Sequence, residues 1–273
     1  MSTAVYHLDR NHLKIMYRAL LSMEWLGDYF TFFYNEQELF IKSSKEGTSM
    51  VGAIRFLPSF FLEINDFFKS MLGRSYCCVK ADAFMHVIKA ESSKKHLSTF
   101  TFRIQTDSPT MSICAYYNTE CKREYAINQH NIRLSTTYHR KNTLDEIGFI
   151  LLSPRYFMDI IELVGEATTL AFYGNSETFL MHVFDNKCAE TGRSKLLTII
   201  ELTNLVHMDI PNKIQTIVDV DALYNICSLA DYFGHSIEIY FVKRSSKMIL
   251  SLNGQHFSAT FSFLITKPSE LFK

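Results

Sequence analysis

Between Ile214 and Ile265 the spacing of apolar positions passes from strand to helix and back to strand. The run Ile214-Gln-Thr-Ile-Val-Asp-Val220 is β-rich. Leu223, Ile226, Cys227 and Ala230 then recur at i, i+3, i+4 and i+7, the spacing that buries one face of a helix. Gly234 stands where that helix ends. Three alternating runs follow, 236–242, 248–252 and 256–265, separated by Lys243-Arg-Ser-Ser-Lys247 and by Asn253-Gly254. Asn-Gly between two alternating segments is a strong hairpin signal. The predicted unit is a strand, a helix and a three-strand meander.

The same unit is predicted upstream. A strand at 76–79 leads into a helix at 81–90, then strands at 97–105, 110–117 and 121–127. Ahead of it lie a first strand at 4–8, a helix at 9–23 and strands at 29–34, 38–43 and 49–56. The second half answers with a helix at 154–164 and strands at 168–173, 178–184 and 194–202. An offset of about 140 residues signals duplication of a whole domain rather than a solenoid period. The expected class is α+β, with domains at 1–130 and 143–273 joined by a polar connection at 131–142.

Composition adds bounds. With 47% hydrophobic residues in 273, two cores can form, and no apolar run reaches the roughly 18 residues that span a bilayer. Six scattered cysteines do not form a disulfide framework, which points to a reducing compartment. The first residues lack the basic and apolar regions of a signal peptide. Net charge is zero, but unevenly so. Residues 1–141 hold 18 Lys and Arg against 13 Asp and Glu, and residues 142–273 hold 10 against 15. Such a split can mark a basic surface on one half.

That asymmetry gives the helix faces their interest. On the first helix Leu13, Met16, Tyr17 and Leu20 form the apolar stripe, while Arg10, Lys14 and Arg18 recur every fourth residue on another face. From this helix alone a solvated face is the ordinary account of that row, and a row of cations meeting phosphates is the alternative. The second helix buries Phe84, Val87 and Ile88 and leaves Lys80, His86 and Lys89 off the stripe. The third begins with Ser153 at the cap and Pro154 at its first position, and turns Phe157, Ile160, Ile161 and Val164 inward. Its other face carries Arg155, Asp159 and Glu162, and the fourth helix exposes Asn225, Ser228 and Asp231. The segment 57–65 reads as a short helical turn packed on a sheet, with Phe60 and Phe61 in the core.

Motifs for chemistry are missing. There is no Gly-x-Gly, no P-loop, no Gly-x-Ser-x-Gly, and no Cys-x-x-Cys or His-x-His pair. No cofactor, metal ligand set or catalytic residue is expected, and the chain is not expected to be an enzyme.

In order and spacing, two copies of this unit joined by an extended connection resemble the duplicated sliding-clamp fold of the proliferating-cell nuclear antigen type. Three blocks bring the resemblance closer to the Rad-nine family, a subunit of the nine-one-one DNA-damage checkpoint clamp. They are Ala53-Ile-Arg-Phe-Leu-Pro-Ser-Phe-Phe61, Cys121-Lys-Arg-Glu-Tyr-Ala-Ile127 preceded by Cys114, and the helix and meander from Val218 to Thr266. Members of that family usually carry a long Ser-rich C-terminal tail; the sequence stops at Lys273, so tail signalling is not expected of these residues.

The resemblance implies a non-enzymatic subunit of a heterotrimeric ring in the nucleus, made with two related clamp subunits. The ring encircles double-stranded DNA without sequence preference, with helices lining the hole and antiparallel sheets outside. A clamp loader and repair or checkpoint proteins are the other implied partners, and no membrane. A ring holds DNA topologically and needs only weak attraction to phosphates. On that reading Arg10, Lys14, Arg18, Lys80 and Lys89 face DNA. Cys121, Arg123, Tyr125 and Ile127 form one subunit edge, and Lys195, Leu197 and Ile199 the other. Ile132, Leu134, Ile265, Thr266 and Pro268 line a groove for client peptides. Three readings compete: a homotrimeric replicative clamp, a hydrolase or nuclease on an unrelated α+β fold, and a monomeric binding module.

Overall fold

The computed structural model describes residues 3–35, 38–44, 51–67, 75–105, 108–118, 121–130, 146–164, 169–174, 179–185, 195–201, 207–209, 214–242 and 247–264. The chain folds as two compact units, Met1–Thr136 with Gln255–Ala259, and Thr137–Gly254 with Thr260–Lys273.

The first unit runs β1 (Thr3–Leu8), α1 (Arg10–Glu24), β2 (Tyr29–Asn35), β3 (Glu38–Ser44), β4 (Val51–Phe56), a 3-10 turn (Pro58–Phe60), β5 (Glu63–Phe67), β6 (Ser75–Lys80), α2 (Ala81–Ser92), β7 (Leu97–Gln105), β8 (Thr110–Tyr117) and β9 (Lys122–Asn128). Its strands form antiparallel arrays in the orders β5-β1-β7-β8-β9 and β4-β3-β2-β6. Strand alternation sends Ala4, Tyr6 and Leu8, Phe30, Phe32 and Tyr34, and Phe100, Phe102 and Ile104 into one core. Helix periodicity sends Leu13, Met16, Leu20 and Met23 of α1, with Phe84, Met85 and Ile88 of α2, onto the same core. Phe84 is wholly buried, its ring edge-on to Phe32 at 4.9 Å and to Phe102 at 6.2 Å. Burying a ring of this size stabilises the unit by about 1.5–3 kcal/mol.

Local signals set the helix ends. Asp9 Oδ1 accepts the His12 amide at 2.8 Å and so caps α1, which therefore starts one residue later than the sequence pattern suggested. Beneath the end of α1, a Cβ at Gly52 would overlap Leu26 Cδ1 and press on Met23, so a larger residue there would force those buried side chains to shift.

The second unit runs β10 (Glu146–Leu152), α3 (Pro154–Val164), β11 (Thr169–Gly174), β12 (Phe179–Asp185), β13 (Lys195–Glu201), β14 (His207–Asp209), β15 (Ile214–Asp219), α4 (Val220–Tyr232), β16 (Ile237–Val242), β17 (Lys247–Asn253) and β18 (Phe257–Leu264). Its orders are β14-β10-β16-β17-β18 and β13-β12-β11-β15. They match the first unit strand for strand: β14 takes the part of β5, β10 of β1, β13 of β4. The residues Val220, Leu223, Ile226, Cys227 and Ala230 of α4 are buried, and Gly234 ends that helix at φ 66°, in the left-handed region.

The segment 57–65 departs from expectation. Only Pro58–Phe60 is helical, with Phe60 and Phe61 buried as expected. Glu63–Phe67 is a strand instead, because the Leu62 amide donates to the His7 carbonyl at 2.9 Å and starts a ladder along β1. β10 and β14 are further strands with no counterpart in the sequence reading. The connection expected at 131–142 lies outside the described residues.

Candidate functional site

Each unit pairs its two helices side by side, α1 with α2 and α3 with α4. On α1, Arg10 and Lys14 are half-buried and Arg18 is exposed. The Nε of Arg10 is buried with no hydrogen-bond partner. Arg10 is the first residue of α1, at the positive end of the helix dipole, directly after the capping carboxylate of Asp9. On α2, Lys80 at the cap position, His86 and Lys89 are exposed. Asp82 is exposed as well and accepts the Ala83 amide at 2.6 Å, so this face mixes signs. On the helices of the second unit, among the described residues, the exposed charges are Arg155, Asp159 and Glu162 on α3, and Asp221 and Asp231 on α4.

The two predicted subunit edges stand at sheet margins. β9 closes the array β5-β1-β7-β8-β9, and β13 closes β13-β12-β11-β15. A strand with one unpaired side offers its main-chain groups to another chain. On β9 the residues Lys122, Glu124, Ala126 and Asn128 are exposed, and Lys122 Nζ lies 2.6 Å from Glu124 Oε1. Of the four side chains expected on this edge, Cys121 is exposed just before the strand and Arg123 is exposed on it. Tyr125 is half-buried and Ile127 is buried at 6% exposure, so both turn back into their own unit. On β13, Lys195 pairs with Asp185 and Ile199 with His182, while a register shift leaves Leu197 with no residue opposite it on β12.

A groove of about 1010 Å³ runs between α2 and β9, lined by Lys80, His86, Tyr125, Ile127, Asn128 and His130 among others. It lies between the mixed-charge face of α2 and β9 inside one unit. At the far end of α2 lies a group that the sequence reading passed over. Glu91 is completely buried and accepts the hydroxyls of Tyr117 and Tyr125. Burial, then the neighbouring Glu91, pushes both phenols above the ordinary tyrosine range. The signal was present: Glu91 stands three residues after Ile88 on the buried stripe of α2, where a carboxylate needs partners.

The expected client groove, Ile132, Leu134, Ile265, Thr266 and Pro268, lies outside the described residues. Among the described residues no three His, Cys, Asp or Glu converge as a metal site, and no helix is long and apolar enough to cross a membrane. The buried thiols of Cys77 and Cys227 are pushed upward by desolvation and are poor nucleophiles.

No profile of a known protein family matches this chain, and no curated protein sequence does. Solved structures do. The crystal structure of Proliferating Cellular Nuclear Antigen from Entamoeba histolytica superposes with a TM-score of 0.71 at 9% identity, covering 98% of this chain and 100% of the other. PCNA from Thermococcus kodakaraensis gives 0.68 at 10% identity over 96% of this chain and 100% of that one. The PCNA2–PCNA3 complex from Sulfolobus tokodaii gives 0.67 at 14% identity, over 96% and 98%. The fold is the α+β sliding-clamp fold, over essentially the whole chain.

Proposed function

We propose that this chain is one subunit of a heterotrimeric checkpoint clamp, a ring that encircles double-stranded DNA in the nucleus and carries repair and checkpoint proteins. The observation that carries the reading is the uneven charge on a duplicated clamp fold. Arg10, Lys14, Arg18 and Lys89 lie on the helices of the first unit and Lys80 stands at the cap position of the second of them, while Asp159, Glu162, Asp221 and Asp231 dominate the helices of the second unit. Three identical copies would repeat the acidic helices three times around the DNA. Different neighbours can supply the missing positive charge. Sequence-independent attraction to phosphates asks for no more than such a row of cations.

On this reading β9, with Cys121, Arg123, Tyr125 and Ile127, meets one neighbour, and β13, with Lys195, Leu197 and Ile199, meets another. Residues 131–142 join domains at 1–130 and 143–273, and client peptides dock at Ile132, Leu134, Ile265, Thr266 and Pro268. The nearness to the Rad-nine family rests on the three sequence blocks, of which Ala53–Phe61 places its three phenylalanines, Phe56, Phe60 and Phe61, in the core.

Copurification of the chain from its own cells followed by native mass measurement tests the proposal. One copy with two different, related subunits is the expected result. Three copies of this chain alone would favour a homotrimeric replicative clamp, and a lone monomer would sink the ring altogether.

A further inference from the structure

The buried carboxylate of Glu91 takes no part in a DNA path or in strand pairing, yet it gathers three side chains of one hairpin. Tyr117, the last residue of β8, donates its hydroxyl to Oε2, and Tyr125 of β9 donates to Oε1. Arg123 Nη1 lies 3.8 Å from Oε1, and the Arg123 guanidinium sits 5.8 Å from the centroid of the Tyr117 ring. Both oxygens are therefore engaged, and the β8–β9 hairpin is tied to the last turn of α2. A buried carboxylate is costly unless it is paired, so helix and hairpin hold each other in place.

We infer that Glu91 is a positioning residue for β9: it fixes the outermost strand as a preformed edge on which a strand of another chain pairs through its main chain. The pairing half of this inference rests on the reading of β9 as a subunit edge. An edge strand is bonded along one side only, and opens locally at lower free energy than the strands inside the sheet. Tyr125 and Arg123 give β9 a second hold, from the helix below. Lys122, Glu124, Ala126 and Asn128, on the other face, stay exposed. An edge ordered before encounter loses less freedom when a partner strand arrives, which favours binding.

Amide hydrogen exchange on the full chain tests this, comparing wild type with Tyr125→Phe, Tyr117→Phe, Glu91→Gln and Glu91→Ala. The β9 amides bonded to β8 should exchange at least tenfold faster in Tyr125→Phe and Glu91→Ala, with β1 and β7 unchanged. Glu91→Gln, whose remaining carbonyl still accepts one hydroxyl, should fall between them and wild type. Unchanged β9 exchange in Tyr125→Phe and Glu91→Ala would overturn the inference. Should Glu91→Ala fail to fold, the two Tyr→Phe variants decide it, since each removes a single hydroxyl. In the assembly copurified with the chain, Tyr125→Phe should lower capture of the β9 neighbour about tenfold and leave the β13 neighbour in place. Equal capture despite a loosened β9 would also overturn it. A wild-type chain that captures no neighbour would remove the ring reading, and with it the pairing half of this inference, while the exchange rates still judge the tie between Glu91 and β9.

Discussion

The helix pair α1 and α2 and the helix pair α3 and α4 stand at matching points of one strand order, yet they present different charge to solvent. The first pair exposes or half-exposes Arg10, Lys14, Arg18, Lys80 and Lys89, diluted by Asp9, Glu24 and Asp82. The second exposes Asp159, Glu162, Asp221 and Asp231 against Arg155. Inward, the pairs agree: Leu13, Met16, Phe84 and Ile88 in one unit answer Phe157, Ile160, Leu223 and Ile226 in the other. Packing constrains buried positions through volume, so a duplicated core keeps its pattern. Solvated positions are free to diverge, and here they have separated by sign. The fold was copied and the surface was not.

The largest effects should come from the two cores. Phe84→Ala and Phe157→Ala each delete a buried ring and should each cost about 3–5 kcal/mol in denaturant unfolding. A cost below about 1 kcal/mol at either site would mean that one unit lacks the packed interior the comparison assumes.

A smaller effect should come from alkali. Burial raises the thiols of Cys77 in the first unit and Cys227 in the second. An acid whose folded pKa is raised stays protonated in the fold while the unfolded chain releases its proton. Its contribution is complete below the unfolded thiol value of about 8.5 and falls as pH rises beyond it, by up to about 1.4 kcal/mol per pH unit for each thiol. Cys77→Ala and Cys227→Ala should each flatten that decline in melts taken across the alkaline range. An unchanged slope in both would show that these thiols ionise in place.

The smallest effect on stability, and the most telling for the surfaces, belongs to charge reversal. Changing Arg10, Lys14 and Arg18 together to Glu should move thermal stability little. It should weaken binding to duplex DNA of any sequence and reduce the salt slope by roughly 0.9 per lost phosphate contact. The mirror experiment, Asp159, Glu162 and Asp231 to Lys, should steepen that slope. If both triples keep the wild-type slope, the charges on these helices only keep them solvated.

Much of this was legible in the chain. Apolar stripes gave all four helices, and alternation with Asn253-Gly254 gave the meanders. Strands such as β5 were not, because Glu63, Asn65 and Asp66 carry no alternation and join the sheet only through their ladder to β1. The edge positions of β9 and β13 came from the resemblance to the sliding-clamp fold, and the inward turn of Tyr125 was not visible in it. Glu91 on its apolar stripe signalled a buried polar group, yet its partners lie 26 and 34 residues away and become neighbours only through register.

A ring holds DNA by its topology rather than by affinity, and cutting the DNA separates the two. The assembly copurified with this chain is loaded on nicked circular DNA with its loader, washed in salt high enough to release phosphate contacts, and assayed before and after the circle is cut. A ring should stay on the circle through the wash and be lost once the DNA is linear. Loss from the circle in the wash, or equal retention on circular and linear DNA, would contradict the account.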